Sequence, residues 1–220
     1  MSTPTEAQQR TARIAGIWFA VTILASIPAA LLYDPTLNDV NVGADASLRL
    51  GAFLEIVTAM ANIATAVVLF PIVKRQSEAI ALGYVATRIV ESTLIVVGLI
   101  SVLAIVTLRE DPAALDAAGQ SLVATHDGTF LLGPAFCAGF GNGLLLGFLL
   151  YKSGLVPPRM ALLGLIGGPL AFATATAVLF GAYEQTSGVN FLFTAPEIAW
   201  EVSLTIYLIV KGFRPSPVLA

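Results

Sequence analysis

No charged residue interrupts positions 14–33, a run of 20, and about 20 consecutive apolar residues are what a helix needs to cross a hydrocarbon layer roughly 30 Å thick. Five further stretches of comparable character follow, at about residues 50–73, 79–108, 129–151, 159–183 and 195–211. Within lipid every backbone N–H and C=O has to be satisfied inside the segment, so such runs fold as helices. The chain is expected to be all-α: a polytopic membrane protein, a bundle of six transmembrane helices in one domain over residues 1–220, with the lipid bilayer as its principal partner. Composition agrees, since only 11% of the residues are charged, against about a quarter in soluble domains.

The first run follows Arg10 and Arg13, as the apolar part of a secretory signal follows its basic front. A signal's apolar part spans about 7–15 residues and ends at a small-residue cleavage site; the longer run, with many spans behind it, reads as a retained anchor. Between the runs, residues 34–49, 109–119 and 184–194 are rich in Asp, Glu, Asn, Pro and Gly and read as loops. His126 and Asp127 are placed at the membrane surface where the fourth helix starts, and Pro196 in the first turn of the sixth, where proline is tolerated.

Lysine and arginine accumulate in short cytoplasmic loops. With both termini cytoplasmic, the inner segments hold Arg10, Arg13, Lys74, Arg75, Lys152, Arg159, Lys211 and Arg214, and the outer ones only Arg49 and Arg109. Small residues suggest how helices meet. Gly139, Gly143 and Gly147 recur at intervals of four, with Gly164 and Gly168 on the next helix, and such residues let backbones approach where no hydrophobic effect drives helices together. The fourth and fifth helices are expected to pack as a hairpin.

Several chemistries are poorly supported. A net charge of -3 without a basic arm argues against nucleic acid as a partner. One cysteine, Cys137, and one histidine, His126, cannot make an intrachain disulfide or the multi-cysteine and multi-histidine metal sets. A serine nucleophile lacks both its base and a G-x-S-x-G elbow. The glycines of residues 139–143 lack the strand and full fingerprint of a dinucleotide loop. No catalytic residues, metal site or cofactor are expected.

The exception to the apolar rule is a set of ionisable residues inside the runs. Each costs about 2.5–3.5 kcal/mol at mid-depth, so it must face other helices, a partner charge or water. Tyr84, Thr87, Arg88, Glu91 and Ser92 share one face of the third helix by their spacing; Glu55, Thr58, Asn62 and Thr65 do so on the second, and Thr194, Glu197, Glu201 and Thr205 on the sixth. If these stripes converge, one arginine meets up to four carboxyls, an imbalance that needs a proton, a bound cation or water to offset it. Arg88, Glu91, Glu55, Glu201, Glu197, Asn62, Asn142 and Tyr84 are therefore the candidate ligand-binding residues, for a proton, a cation or a small polar solute. The alternative is that the charges only fix helix packing.

The stretch from Leu144 to Phe172, the Arg-Ile-Val-Glu-Ser of residues 88–92 and the ending from Pro196 to Phe213 resemble the prokaryotic integral membrane proteins grouped as domain-of-unknown-function family 4386. Arg88 and Glu91, the turn ending in Pro158 and Arg159, Glu201, and Lys211-Gly212-Phe213 carry the resemblance. It implies a multi-pass protein of the prokaryotic cytoplasmic membrane and no established activity.

Overall fold

The computed structural model describes residues 2–220 and contains six long helices. They are α1 (Glu6–Asn38), α2 (Asp45–Val73), α3 (Glu78–Leu108), α4 (Pro112–Ser153), α5 (Pro158–Leu179) and α6 (Gly188–Val210). All six are long and apolar enough to cross a membrane, and no strand occurs among the described residues. Each helix packs on the next, and α6 returns to α1, so the bundle closes into a ring. Leucines and isoleucines such as Leu24, Leu31, Ile100 and Ile206 point outward, as a lipid-facing surface requires.

The helices extend further than the apolar runs. Thr5 and Gln8 form a reciprocal capping box that starts α1 at Glu6, and its other end runs through Pro35 to Asn38, so the link to α2 is only residues 39–44 rather than 34–49. The acidic stretch 109–119 is largely helical. Asp111 accepts from the N–H groups of Ala113 and Ala114, and Pro112 takes the first helical position, where its missing N–H costs nothing. The expected loop at 184–194 gives way in the same manner: the Ser187 hydroxyl caps Asn190 N–H and α6 starts at Gly188. Pro196 thus lies inside α6, not in its first turn, and has no N–H to give the carbonyl one turn back. The α5 helix ends at Leu179, short of the expected 183.

His126 also departs from expectation. It lies in the interior of α4, 7% exposed, because the helix begins 14 residues earlier, at Pro112. Its ring meets Tyr33 edge-on at 5.6 Å and stacks on Phe130 at 6.5 Å. Asp127 beside it faces out.

Two segments of α4, Leu131–Ala135 and Ala138–Leu146, are wound as π-helix. Such wide turns are rare and concentrate at functional sites. Glycines bring this part of α4 onto α5, as the hairpin expectation required. A Cβ added to Gly139 would meet the Phe172 nitrogen at 3.0 Å, and one added to Gly147 the Leu165 nitrogen at 3.3 Å.

Both ends of the bundle are tied by polar contacts. At one end Arg109 donates to the carbonyls of Val40 (2.9 Å), Val42 and Gly43 (2.8 Å), and to the Asp45 carboxylate at 2.7 Å, which fixes the α1–α2 link. At the other end the chain after α6 folds under the bundle. Gln9 exchanges two hydrogen bonds with the Phe213 backbone, each 2.9 Å; Arg75 donates to the carbonyls of Val218 and Ala220; and Arg214 N–H reaches the Leu155 carbonyl at 2.9 Å. Phe213 and Leu219 join the apolar core there, beside Phe19, Leu69, Leu149 and Leu208.

Candidate functional site

The stripes on α2 and α3 meet inside the bundle, and Asn142 from the π-wound part of α4 meets the α6 stripe at Glu201. Arg88 is ten residues into α3, about 15 Å from its start at 1.5 Å per residue, which is near mid-depth for a hydrocarbon layer. It is 2% exposed. Nη1 donates to Glu91 Oε2 at 2.8 Å, and Nη2 donates to Asn62 Oδ1. Asn62 Nδ2 in turn donates to Glu91 Oε1 at 3.1 Å. Arg88, Glu91 and Asn62 therefore form a closed triangle in which both carboxylate oxygens and both ends of the amide are engaged.

Two neighbours support the triangle. Thr65, one turn from Asn62, donates to the Asn62 carbonyl at 2.6 Å and lies 3.4 Å from the Tyr84 hydroxyl. Ser92 donates across to the Ala59 carbonyl at 3.0 Å, which ties α3 to α2 just beyond Glu91. The convergence expected from the stripes is thus realised for Asn62, Thr65, Tyr84, Arg88, Glu91 and Ser92.

From the opposite side α6 brings Glu197 and Glu201, one turn apart. Glu201, half-buried, accepts a hydrogen bond from Asn142 Nδ2 and lies close enough to Arg88 and Glu91 to act on both electrostatically. Glu197 is 4% exposed. Neither of its carboxyl oxygens has a hydrogen-bond partner, and Asn142 Oδ1 has none either. The placement depends on glycine: a Cβ on Gly143 would collide with Glu197 Oε2 and with Gly168. Trp200 completes the wall, its ring laid on Gly164 and its indole N–H donating to the Asn142 carbonyl at 3.1 Å.

Charge decides what this arrangement can do. One guanidinium faces three carboxyls, and the guanidinium is already spent on Glu91 and Asn62. Burying a carboxylate without a partner costs several kcal/mol, so Glu197 calls for a donor that the surrounding side chains do not supply, while Glu201 has only the Asn142 amide.

Glu55 does not join this group. It lies seven residues before Asn62 on α2, about 10 Å further along the axis, and takes a hydrogen bond from the Tyr33 hydroxyl at 3.3 Å. Tyr33 reaches it because Gly51, one turn back, leaves room for the ring: a Cβ there would lie 2.5 Å from it. With His126, Thr129, Gly98, Ile95, Phe130 and Pro134, Glu55 lines a small recess. No sequence pattern links Tyr33 and His126 to Glu55, since Tyr33 lies near one end of α1 and the start of α4 at Pro112 is masked by loop-forming residues. The nearest signal was the Gly51 and Glu55 spacing, which clears one face of α2 for an aromatic ring.

No curated protein and no solved structure matches the chain significantly. The model of one family, described as Domain of unknown function (DUF4386), matches residues 14–212, which takes in all of the triangle, both α6 glutamates and Asn142. By that match the chain belongs to the DUF4386 family, as a multi-pass membrane protein with six candidate membrane-spanning helices.

Proposed function

We propose that the group formed by Arg88, Glu91, Asn62, Tyr84, Asn142, Glu197 and Glu201 is an internal site that binds or moves a proton, a cation or a small polar solute. The chain sits in the cytoplasmic membrane of a prokaryote with both termini inside, the orientation favoured by its lysines and arginines. One observation carries the reading: α6 presents two carboxyls to a site whose single guanidinium is already engaged. A membrane-buried ionisable group without a structural partner is a functional group by default.

The test is uptake into proteoliposomes, with protons, alkali cations and small neutral or charged solutes supplied in turn. The parent protein is expected to move or exchange at least one of them. Glu91→Gln and Glu201→Gln should lower that rate about tenfold or more, equivalent to about 1.4 kcal/mol. Folded variants that match the parent for every species would exclude the reading.

A second reading has one observation in its favour. The Arg88, Glu91 and Asn62 triangle is closed, with no acceptor left free, as a device that only sets helix register requires. That structural role accounts for the triangle but leaves Glu197 and Glu201 without a purpose.

A further inference from the structure

We infer that Glu197 is the proton-carrying residue of the internal site and holds its proton inside the closed bundle. The inference rests on the reading of that site as a working one and names its ligand. Three buried acceptors lack a donor: Glu197 Oε1 and Oε2, and Asn142 Oδ1, on the residue next to Gly143, which lies against the Glu197 carboxyl. A cation or a proton can satisfy such a set, and the packing decides between them.

The backbone of α4 lies against the Glu197 carboxyl, and that of α5 against both α4 and the Glu197 backbone. A Cβ on Gly143 would meet Oε2, one on Gly168 would lie 2.6 Å from the Leu144 nitrogen, and one on Gly167 would lie 2.6 Å from the Glu197 nitrogen. A hard cation needs about six oxygen ligands at more than 2 Å, and no group of three or more His, Cys, Asp or Glu side chains is set to hold a metal ion among the described residues. A proton takes no volume. Bound to Glu197, it turns one acceptor into a donor, which is what this corner lacks.

The surrounding charges allow it. The charged groups near enough to act on Glu197 are Glu201, one turn along α6, and Arg88 and Glu91 from α3; α4 presents the Asn142 amide, and the buried face of α5 carries no titratable group. With Glu197 neutral, Arg88 is paired with Glu91, and Glu201 is half-buried and held by Asn142. Proton release from Glu197 then needs α6 to turn or water to enter.

Infrared spectroscopy of the full chain in liposomes at neutral pH tests this through the C=O stretch of a protonated carboxylic acid. The band is expected in the parent protein, retained in Glu55→Gln, Glu91→Gln and Glu201→Gln, and lost in Glu197→Gln. A variant carrying Glu55→Gln, Glu91→Gln and Glu201→Gln together, in which the band persists, assigns it by elimination should Glu197→Gln fail to fold. A parent without the band overturns the inference, as does loss of the band in one of the other three variants. A protein that shows the Glu197 band yet transports nothing retains its proton and refutes only the movement of a species proposed for the site, so the two failures are distinct.

Discussion

Replacing Arg88 alone by leucine is expected to cost the fold about 3–5 kcal/mol, the loss typical when one partner of a buried ion pair is removed. Two groups are stranded at once: the Glu91 carboxylate loses its 2.8 Å partner and Asn62 Oδ1 loses its donor. Removing the whole triangle, as Arg88→Leu with Glu91→Leu and Asn62→Leu, leaves no member of it orphaned. Stability should then return to within about 1–2 kcal/mol of the parent, since a buried polar set and apolar residues of similar volume are often of equal stability. Thermal and denaturant unfolding in detergent measures both. A single variant as stable as the parent would show that Arg88 is solvated and the triangle absent.

Gly168→Leu is expected to be the other severe change. A Cβ there would lie 2.6 Å from the Leu144 nitrogen and 2.8 Å from the Gly143 carbonyl carbon, so the clash is with backbone and no side-chain rotation relieves it. Overpacking of a close-packed interior costs about 1–3 kcal/mol when side chains can yield; here they cannot, and a loss above about 3 kcal/mol or failure to assemble is expected. Gly128→Ala is the control. Nothing lies within 4 Å of its Cβ, and alanine is the better helix former by about 1 kcal/mol, so that variant should be as stable as the parent or more so. Equal stability of Gly168→Leu and Gly128→Ala would mean that α4 and α5 do not approach as described.

The severity of Gly168→Leu follows from a spacing that is visible in the sequence, whereas much of what surrounds it is not. Long uncharged runs report a membrane bundle directly, because lipid leaves the backbone no other conformation. Helix ends are less legible. Asp111-Pro112 and Ser187-Gly188 are cap signals, but the same residues also punctuate loops, and only the hydrogen bonds from Asp111 and Ser187 tell the two apart. Misplacing those two starts hid the burial of His126 and moved Pro196 into a first turn. The π-winding of residues 138–146 left no trace beyond its glycines.

The site divides in the same way. Arg88, Glu91 and Asn62 follow from helical periodicity, since each stripe must turn from lipid and two adjacent helices present theirs to each other. Glu201 with Asn142 depends on the register of α6 against α4, which no local pattern encodes. Glu55 shares the face of Asn62 but not its depth; two turns of helix separate them, and Tyr33 claims it instead. Depth along a stripe decides which polar residues can meet, and periodicity specifies only the face.

Ligand-induced stabilisation of the purified full chain tests the central claim most directly, because anything that binds the folded state raises its apparent stability by mass action. Unfolding temperature is followed while protons, alkali cations and small polar solutes are titrated, for the parent and for Glu197→Gln with Glu201→Gln. The account predicts that at least one of them raises the midpoint of the parent and that the double variant loses the response. A parent whose midpoint is unmoved by every species, in a protein that is folded, would contradict it.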